Sequence, residues 1–160
     1  FIPAGGTLRQ RQNTGAIRAW GVEAEASGGA GFLGWRLAGA YTDAEVRGGA
    51  SARQLTGLRP AQTPRWTLTG GFDLRPPGPI RLAANARFES ARWEDDLNTR
   101  RLSSGATVDL VAAWRAGAHS EAYLAVDNLA DAKLEVGETA DGTESFAAPR
   151  TVRIGFAWRR

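Results

Sequence analysis

Cysteine and methionine are absent from the 160 residues, and histidine and lysine occur once each. The missing cysteine excludes disulfides, thiolate nucleophiles and cysteine metal sites. One histidine, His119 in an expected short turn, is too little for a catalytic triad or a zinc site. Nowhere does the chain run to the ~18 consecutive apolar residues of a transmembrane helix. That absence leaves open a crossing by strands, whose segments are only half apolar. No basic start leads into an apolar leader, and the chain opens Phe1-Ile2-Pro3. The sequence is therefore expected to be a mature or partial chain. The net charge is only +3, carried by arginines spread along the chain, with Lys133 the one lysine. A nucleic-acid partner is not expected, because it would require basic residues gathered on one face.

What is present is alternation. Trp66, Leu68, Gly70, Phe72 and Leu74 interleave with Arg65, Thr67, Thr69, Gly71, Asp73 and Arg75. Successive strand side chains point to opposite faces, so this segment has one apolar and one polar side. The same period recurs in Trp20–Ala26, Leu33–Tyr41, Ile80–Phe88, Val108–Trp114, Ala122–Val126 and Val152–Trp158. About seven strands are predicted, most near the ~10 residues that a tilted strand needs to cross a bilayer. Short connections at Gly28–Gly31, Pro76–Pro79 and Ala116–His119 carry the glycine or proline of tight turns. Long polar connections near 47–64, 94–104 and 130–149 alternate with them. Short turns on one rim and long loops on the other are the build of outer-membrane barrels.

Aromatic residues mark both ends of the apolar face. Trp35, Phe72, Trp114 and Trp158 lie toward the short turns, and Trp20, Tyr41, Trp66 and Phe88 toward the long loops. Such placement is expected of two interfacial girdles facing lipid. The opposite set holds Glu23, Glu25, Arg36, Arg65, Asp73, Arg81, Arg87, Glu89, Asp109 and Arg115. These ten are the expected lumen-facing residues. Seven strands alone close only a narrow, side-chain-filled barrel. So many buried charges there would be expensive to desolvate. The expectation is an all-β, antiparallel, up-and-down segment of a larger transmembrane barrel. The alternative from another class is a soluble β-sandwich with the apolar faces packed together as a core.

Several segments carry a family resemblance. They are Asn13-Thr14-Gly15 with Trp20–Glu25; Tyr41–Ala44 with Leu58–Pro64; Val126-Asp127-Asn128-Leu129-Ala130-Asp131; and Pro149–Val152. In order and spacing they resemble the C-terminal strands of TonB-dependent outer-membrane receptors. The chain departs from that pattern at Ala130, where the family often has an aromatic, and in its ending Trp158-Arg159-Arg160. The resemblance implies that residues 1–160 are the C-terminal portion of a barrel of about 22 strands. It also implies energy-coupled import of a scarce nutrient, such as a ferric siderophore or cobalamin, across the outer membrane of a Gram-negative bacterium. The implied partners are outer-membrane lipid, the N-terminal plug domain, the TonB complex and the imported nutrient. A passive porin-like channel is the alternative within membranes.

Chemistry is sparse. Glu94-Asp95-Asp96 lacks the Asp-x-Asp-x-Asp-Gly spacing of a calcium loop, and Gly137 with Gly142 lacks the Lys-Ser/Thr of a phosphate loop. Both acidic stretches, the second being Glu135, Glu138, Asp141 and Glu144, are expected to be solvated loops. No catalytic set, metal site or cofactor-binding motif is predicted.

Overall fold

The computed structural model describes residues 15–158. Eleven strands follow in chain order: β1 (Gly15–Ala30), β2 (Leu33–Gly48), β3 (Trp66–Leu74), β4 (Ile80–Glu89), β5 (Arg92–Trp93), β6 (Arg101–Leu102), β7 (Gly105–Arg115), β8 (Ser120–Asp127), β9 (Glu135–Glu138), β10 (Glu144–Phe146) and β11 (Thr151–Trp158). Seven form one antiparallel sheet in the order β1-β2-β3-β4-β7-β8-β11, each beside its nearest sheet neighbour in sequence. The four short strands form two ribbons inside the long connections, β5 with β6 and β9 with β10. No described residue lies in an α-helix.

Directly opposed residues of an antiparallel pair share a face. The register therefore sorts the side chains without ambiguity. One row runs Leu37, Gly70, Ala86, Val108; the next runs Trp35, Phe72, Ala84, Leu110, Val126, Val152. A further row runs Leu33, Leu74, Leu82, Ala112, Leu124, Ile154. All belong to the predicted apolar set. The seven strands make a single layer, so the sandwich alternative, which needs two packed sheets, is not what the chain builds. Leu68 is 46% exposed and Ile154 82%.

Strand boundaries differ from expectation at the first hairpin. Gly28, Gly29 and Ala30, expected in the turn, belong to β1, and the turn is Gly31-Phe32, with Gly31 at a φ of 58°. The indole of Trp35 lies over Gly28, which explains how a strand tolerates that glycine: the ring supplies the packing its side chain lacks. β1 and β2 also reach well past their predicted loop-side ends at Trp20 and Tyr41. Beyond Tyr41 the polarity inverts. Asp43, Glu45 and Arg18 fall in the apolar-face register, while Ala44 and Val46 are buried on the other face. Val46 packs with Ala52, Leu55 and Leu58, where a 3-10 turn (Arg53–Leu55) folds the first long connection back onto the hairpin. The apolar band on β2 thus runs from Leu33 to Tyr41. Nine residues at about 3.3 Å each, tilted by about 40°, span about 23 Å, close to the ~25 Å apolar band of barrels in the outer membrane.

Candidate functional site

Nine of the ten predicted charged residues fall on the polar face by register. Glu23 opposes Ala40, Glu25 opposes Ala38, Asp73 opposes Gly34 and Ala83, and Asp109 opposes Asn85. Arg36, Arg81, Arg87, Glu89 and Arg115 share this parity. The tenth, Arg65, sits one residue before β3. Its carbonyl accepts the Thr42 N–H, and its guanidinium lies 3.7 Å from the Asp43 carboxylate. The eight aromatics occupy the opposite face. On it Tyr41 bridges Trp20 and Trp66, with ring centroids 5.4 and 4.7 Å apart. Trp20, Trp35, Trp66, Phe72, Trp114 and Trp158 are all more than 40% exposed.

Charge pairing on the polar face is partly cross-strand and partly local. Arg81 reaches across from β4 to Asp73 of β3 at 2.7 Å, and Arg75 bonds the other oxygen of the same carboxylate. Arg87 pairs with Glu89 two residues along its own strand. Arg153 pairs with Asp127 at 2.7 Å, a pair that sequence reasoning missed. The arginines of these pairs are more than half exposed, so water screens the pairs and each adds little to stability. Arg36 bonds the Asn85 side chain across Gly71 instead of a carboxylate. A Cβ at Gly71 would stand 2.7 Å from Asn85 Oδ1 and 2.9 Å from the Ala84 carbonyl oxygen, so only glycine leaves that path open. The polar face is not wholly polar. Val111 and Tyr123 lie on it, and the Tyr123 ring covers Gly155.

All three long connections rest on this same face. The first does so through Leu55 and Leu58 against Val46. The second does so through Arg92, whose Nη1 donates to Glu89 Oε2 at 3.0 Å. The third places Leu134 so close to Gly105 that a Cβ there would be 2.3 Å from Leu134 Cδ1. The connections are also tied to one another. Arg59 N–H donates to Asn98 Oδ1 at 2.9 Å, and Asn98 Nδ2 donates back to the Arg59 carbonyl at 2.8 Å. Gln62 N–H donates to the Trp93 carbonyl, and Ser103 N–H to Glu135 Oε2, both at 2.7 Å.

None of the acidic residues of the two stretches is buried, and Asp96, Asp141 and Glu144 are exposed, but several of the carboxylates are also hydrogen-bonded within the loops. Asp95 accepts the amides of Thr99 and Arg100 at 3.0 and 2.8 Å and the Thr99 hydroxyl at 2.9 Å. Burial, the largest single influence on its carboxyl, opposes ionisation; hydrogen bonds from Arg100 and Thr99 and the Arg100 charge together outweigh it and hold the pKa below its ordinary value. Glu94 accepts from Gln62, and Glu135 from Ser103. Asp141 accepts from the Thr139 hydroxyl and the Thr143 amide, which lower its pKa in that order.

In the Val126–Asp131 run quoted above for its resemblance, the residue with the most contacts to explain is Asn128, whose role no periodicity shows. It is 5% exposed with a φ of 50°, a left-handed conformation that asparagine tolerates better than most residues. Its N–H donates to Asp109 Oδ1 at 2.8 Å, its amide nitrogen to the Ala132 and Ala148 carbonyls, and its Oδ1 accepts from Ala132 N–H. Asp131, at a φ of 54°, accepts the Arg150 N–H at 2.9 Å. The Asn128-x-x-Asp131 run thus closes the base of the third connection. Asn13-Thr14, part of the resemblance described above, and Arg159-Arg160, part of the ending that departs from it, lie outside the described residues.

Comparison with known proteins accords with this geometry. No curated protein matches. Among solved structures, the siderophore receptor PiuA from Acinetobacter baumannii is 18% identical, with a TM-score of 0.79 over 89% of this chain and 22% of that one. The ferric yersiniabactin uptake receptor FyuA from Yersinia pestis is 23% identical, with a TM-score of 0.80 over 91% of this chain and 24% of that one. The ferripyoverdine receptor of the outer membrane of Pseudomonas aeruginosa is 15% identical, with a TM-score of 0.68 over 89% of this chain and 19% of that one. The chain thus spans between 19% and 24% of the length of these three structures. A family model described as TonB dependent receptor-like, beta-barrel, matches residues 2–129. With the antiparallel register and the two-faced strands, that match identifies this chain as a member of the TonB-dependent receptor β-barrel family.

Proposed function

We propose that residues 1–160 are the C-terminal wall of an outer-membrane transporter that imports a ferric siderophore by TonB-coupled transport. The reading rests on one observation above all: the register of the seven-stranded sheet gathers the large apolar side chains between Trp20 and Trp158 on one face. Fifteen large side chains of the apolar face, from Trp20 to Trp158, are more than a third exposed. Together they present on the order of 1,000 Å² of apolar surface, beyond the roughly 300–600 Å² of the largest patch on a typical soluble monomer. Lipid satisfies this face and water satisfies the other. Trp20, Trp35, Tyr41, Trp66, Phe72, Phe88, Trp114 and Trp158 sit at the two interfaces. Glu23, Glu25, Arg36, Arg65, Asp73, Arg81, Arg87, Glu89, Asp109 and Arg115 line a wet lumen and meet the plug domain.

The long connections lean over the lumen face, which suits recognition at an outer mouth. The receptors that this wall resembles are described as taking ferric yersiniabactin, ferripyoverdine and siderophores, and the substrate class is carried over from them. The wall supplies positioning and charge, and no covalent step falls to its residues. The decisive experiment is uptake of iron-55-labelled siderophore by cells whose only receptor is the full-length protein. Uptake abolished by deletion of TonB supports the proposal. Uptake indifferent to TonB returns the passive channel, and no iron uptake with any siderophore class removes the substrate assignment.

A further inference from the structure

Arg92 is the one described charged residue less than 9% exposed, at 8%, yet it lies in a connection rather than in the sheet. Its guanidinium has three addresses. Nε donates to Gln62 Oε1 in the first connection at 2.7 Å. Nη1 donates to Glu89 Oε2 at the top of β4 at 3.0 Å. Nη2 donates to the Glu135 carbonyl in the third connection at 3.3 Å. The planar fork of arginine suits three partners in fixed directions, which a lysine ammonium on a flexible stem does not reproduce.

The surroundings are built to receive it. Gln62 adopts a φ of 55°, uncommon outside glycine, and in that conformation its backbone holds Trp93 while its side chain bridges Arg92 and Glu94. A residue held in such a region points to a site where the surrounding structure over-determines the backbone. Glu135, whose carbonyl takes Nη2, binds Ser103 with both carboxylate oxygens. Glu89 is shared: one oxygen holds Arg92, and the other holds Arg87 on the polar face.

We propose that Arg92 is the positioning residue of a single recognition cap: it locks residues 49–65, 90–104 and 128–150 into one unit and anchors that unit to the lumen wall through Glu89. The three connections then open and close together, and a change in one is felt in the other two. Placing the cap over a transport lumen rests on the function proposed above; the locking itself does not.

The test is amide hydrogen exchange on the full-length protein in detergent micelles, comparing wild type with Arg92→Ala, Arg92→Lys and Gln62→Ala. Arg92→Ala is expected to speed exchange by about tenfold or more in 49–65 and 128–150, segments that do not contain the substitution, while β2, β3, β4 and β7 keep their protection. Gln62→Ala is expected to loosen 128–150 through Arg92. Arg92→Lys keeps the charge opposite Glu89 but not the fork, and is expected to protect both segments to an intermediate degree. Faster exchange confined to 90–104 overturns the proposal. Wild-type protection in Arg92→Lys overturns the role of the fork. These outcomes do not depend on transport, so a protein that fails to take up iron still gives a clear answer on the cap.

Discussion

At the scale of single residues, the decisive positions are those where one atom changes what a neighbour can reach. Gly71 is one. Gly71→Val would drive its side chain into Asn85 Oδ1 and the Ala84 carbonyl and close the path by which Arg36 reaches Asn85. The expected cost is about 1–3 kcal/mol, read as a lower urea midpoint of the full-length barrel. Asp95 is another. Its carboxyl is held below its ordinary pKa in the folded loop, so its contribution is complete above the unfolded value and fades as pH falls through the folded one. The turn over 95–100 should therefore be fully formed at pH 6 and open progressively in acid below the ordinary aspartate range. Exchange of the Thr99 and Arg100 amides checks this, and Asp95→Asn should abolish the acid dependence. Neither residue was legible beforehand. Asp95 sat in a run whose spacing excluded a calcium loop, and nothing in a linear string shows that five residues later an amide turns back to meet it.

At the scale of elements, strand identity follows from period two, whereas strand length does not. Alternation stops at Trp20 and Tyr41 because the environment changes there. Outside the apolar band the same faces need opposite residue types, so Arg18, Asp43 and Glu45 follow the aromatics, and Val46 turns inward against Leu55. A reader looking for one continuous pattern ends the strand where the pattern inverts. Leu55→Ala should release the 3-10 turn at a local cost of about 2–3 kcal/mol, the low end for a buried leucine because its cluster with Val46 and Ala52 is small. Amide exchange over 52–58 should rise while the protection of β3 and β4 is unchanged. Facing is testable with a neighbouring pair. Gly70→Arg lies mid-strand on the apolar side, Thr69→Arg on the polar side. In the proposed orientation the first costs about 2–4 kcal/mol in folding into bilayers, and the second little. Equal costs would overturn the assignment of lipid and lumen.

At the scale of the whole molecule, β1 and β11 are the edge strands of the sheet among the described residues, as expected if it is one stretch of a larger wall. Open edges beside a broad apolar face invite edge-to-edge association. The isolated 160-residue chain is expected to aggregate in water and to stay oligomeric in detergent, since detergent covers the face but pairs no edge. Size-exclusion chromatography with light scattering checks this, and a monodisperse soluble monomer would contradict it. What the sequence by itself determined was local and periodic: the seven strands of the main sheet (not the two short ribbons in the loops), the separation of polar from apolar side chains, and the alternation of short turns with long connections. Each depends on neighbours one or two positions away, so a linear reading captures it. Only the tertiary structure decided that Arg153 meets Asp127, that Tyr123 covers Gly155, and that Gln62, Glu89 and Glu135 converge on Arg92. These contacts join residues up to 43 positions apart in directions set by loop closure, and no periodicity records where a loop returns.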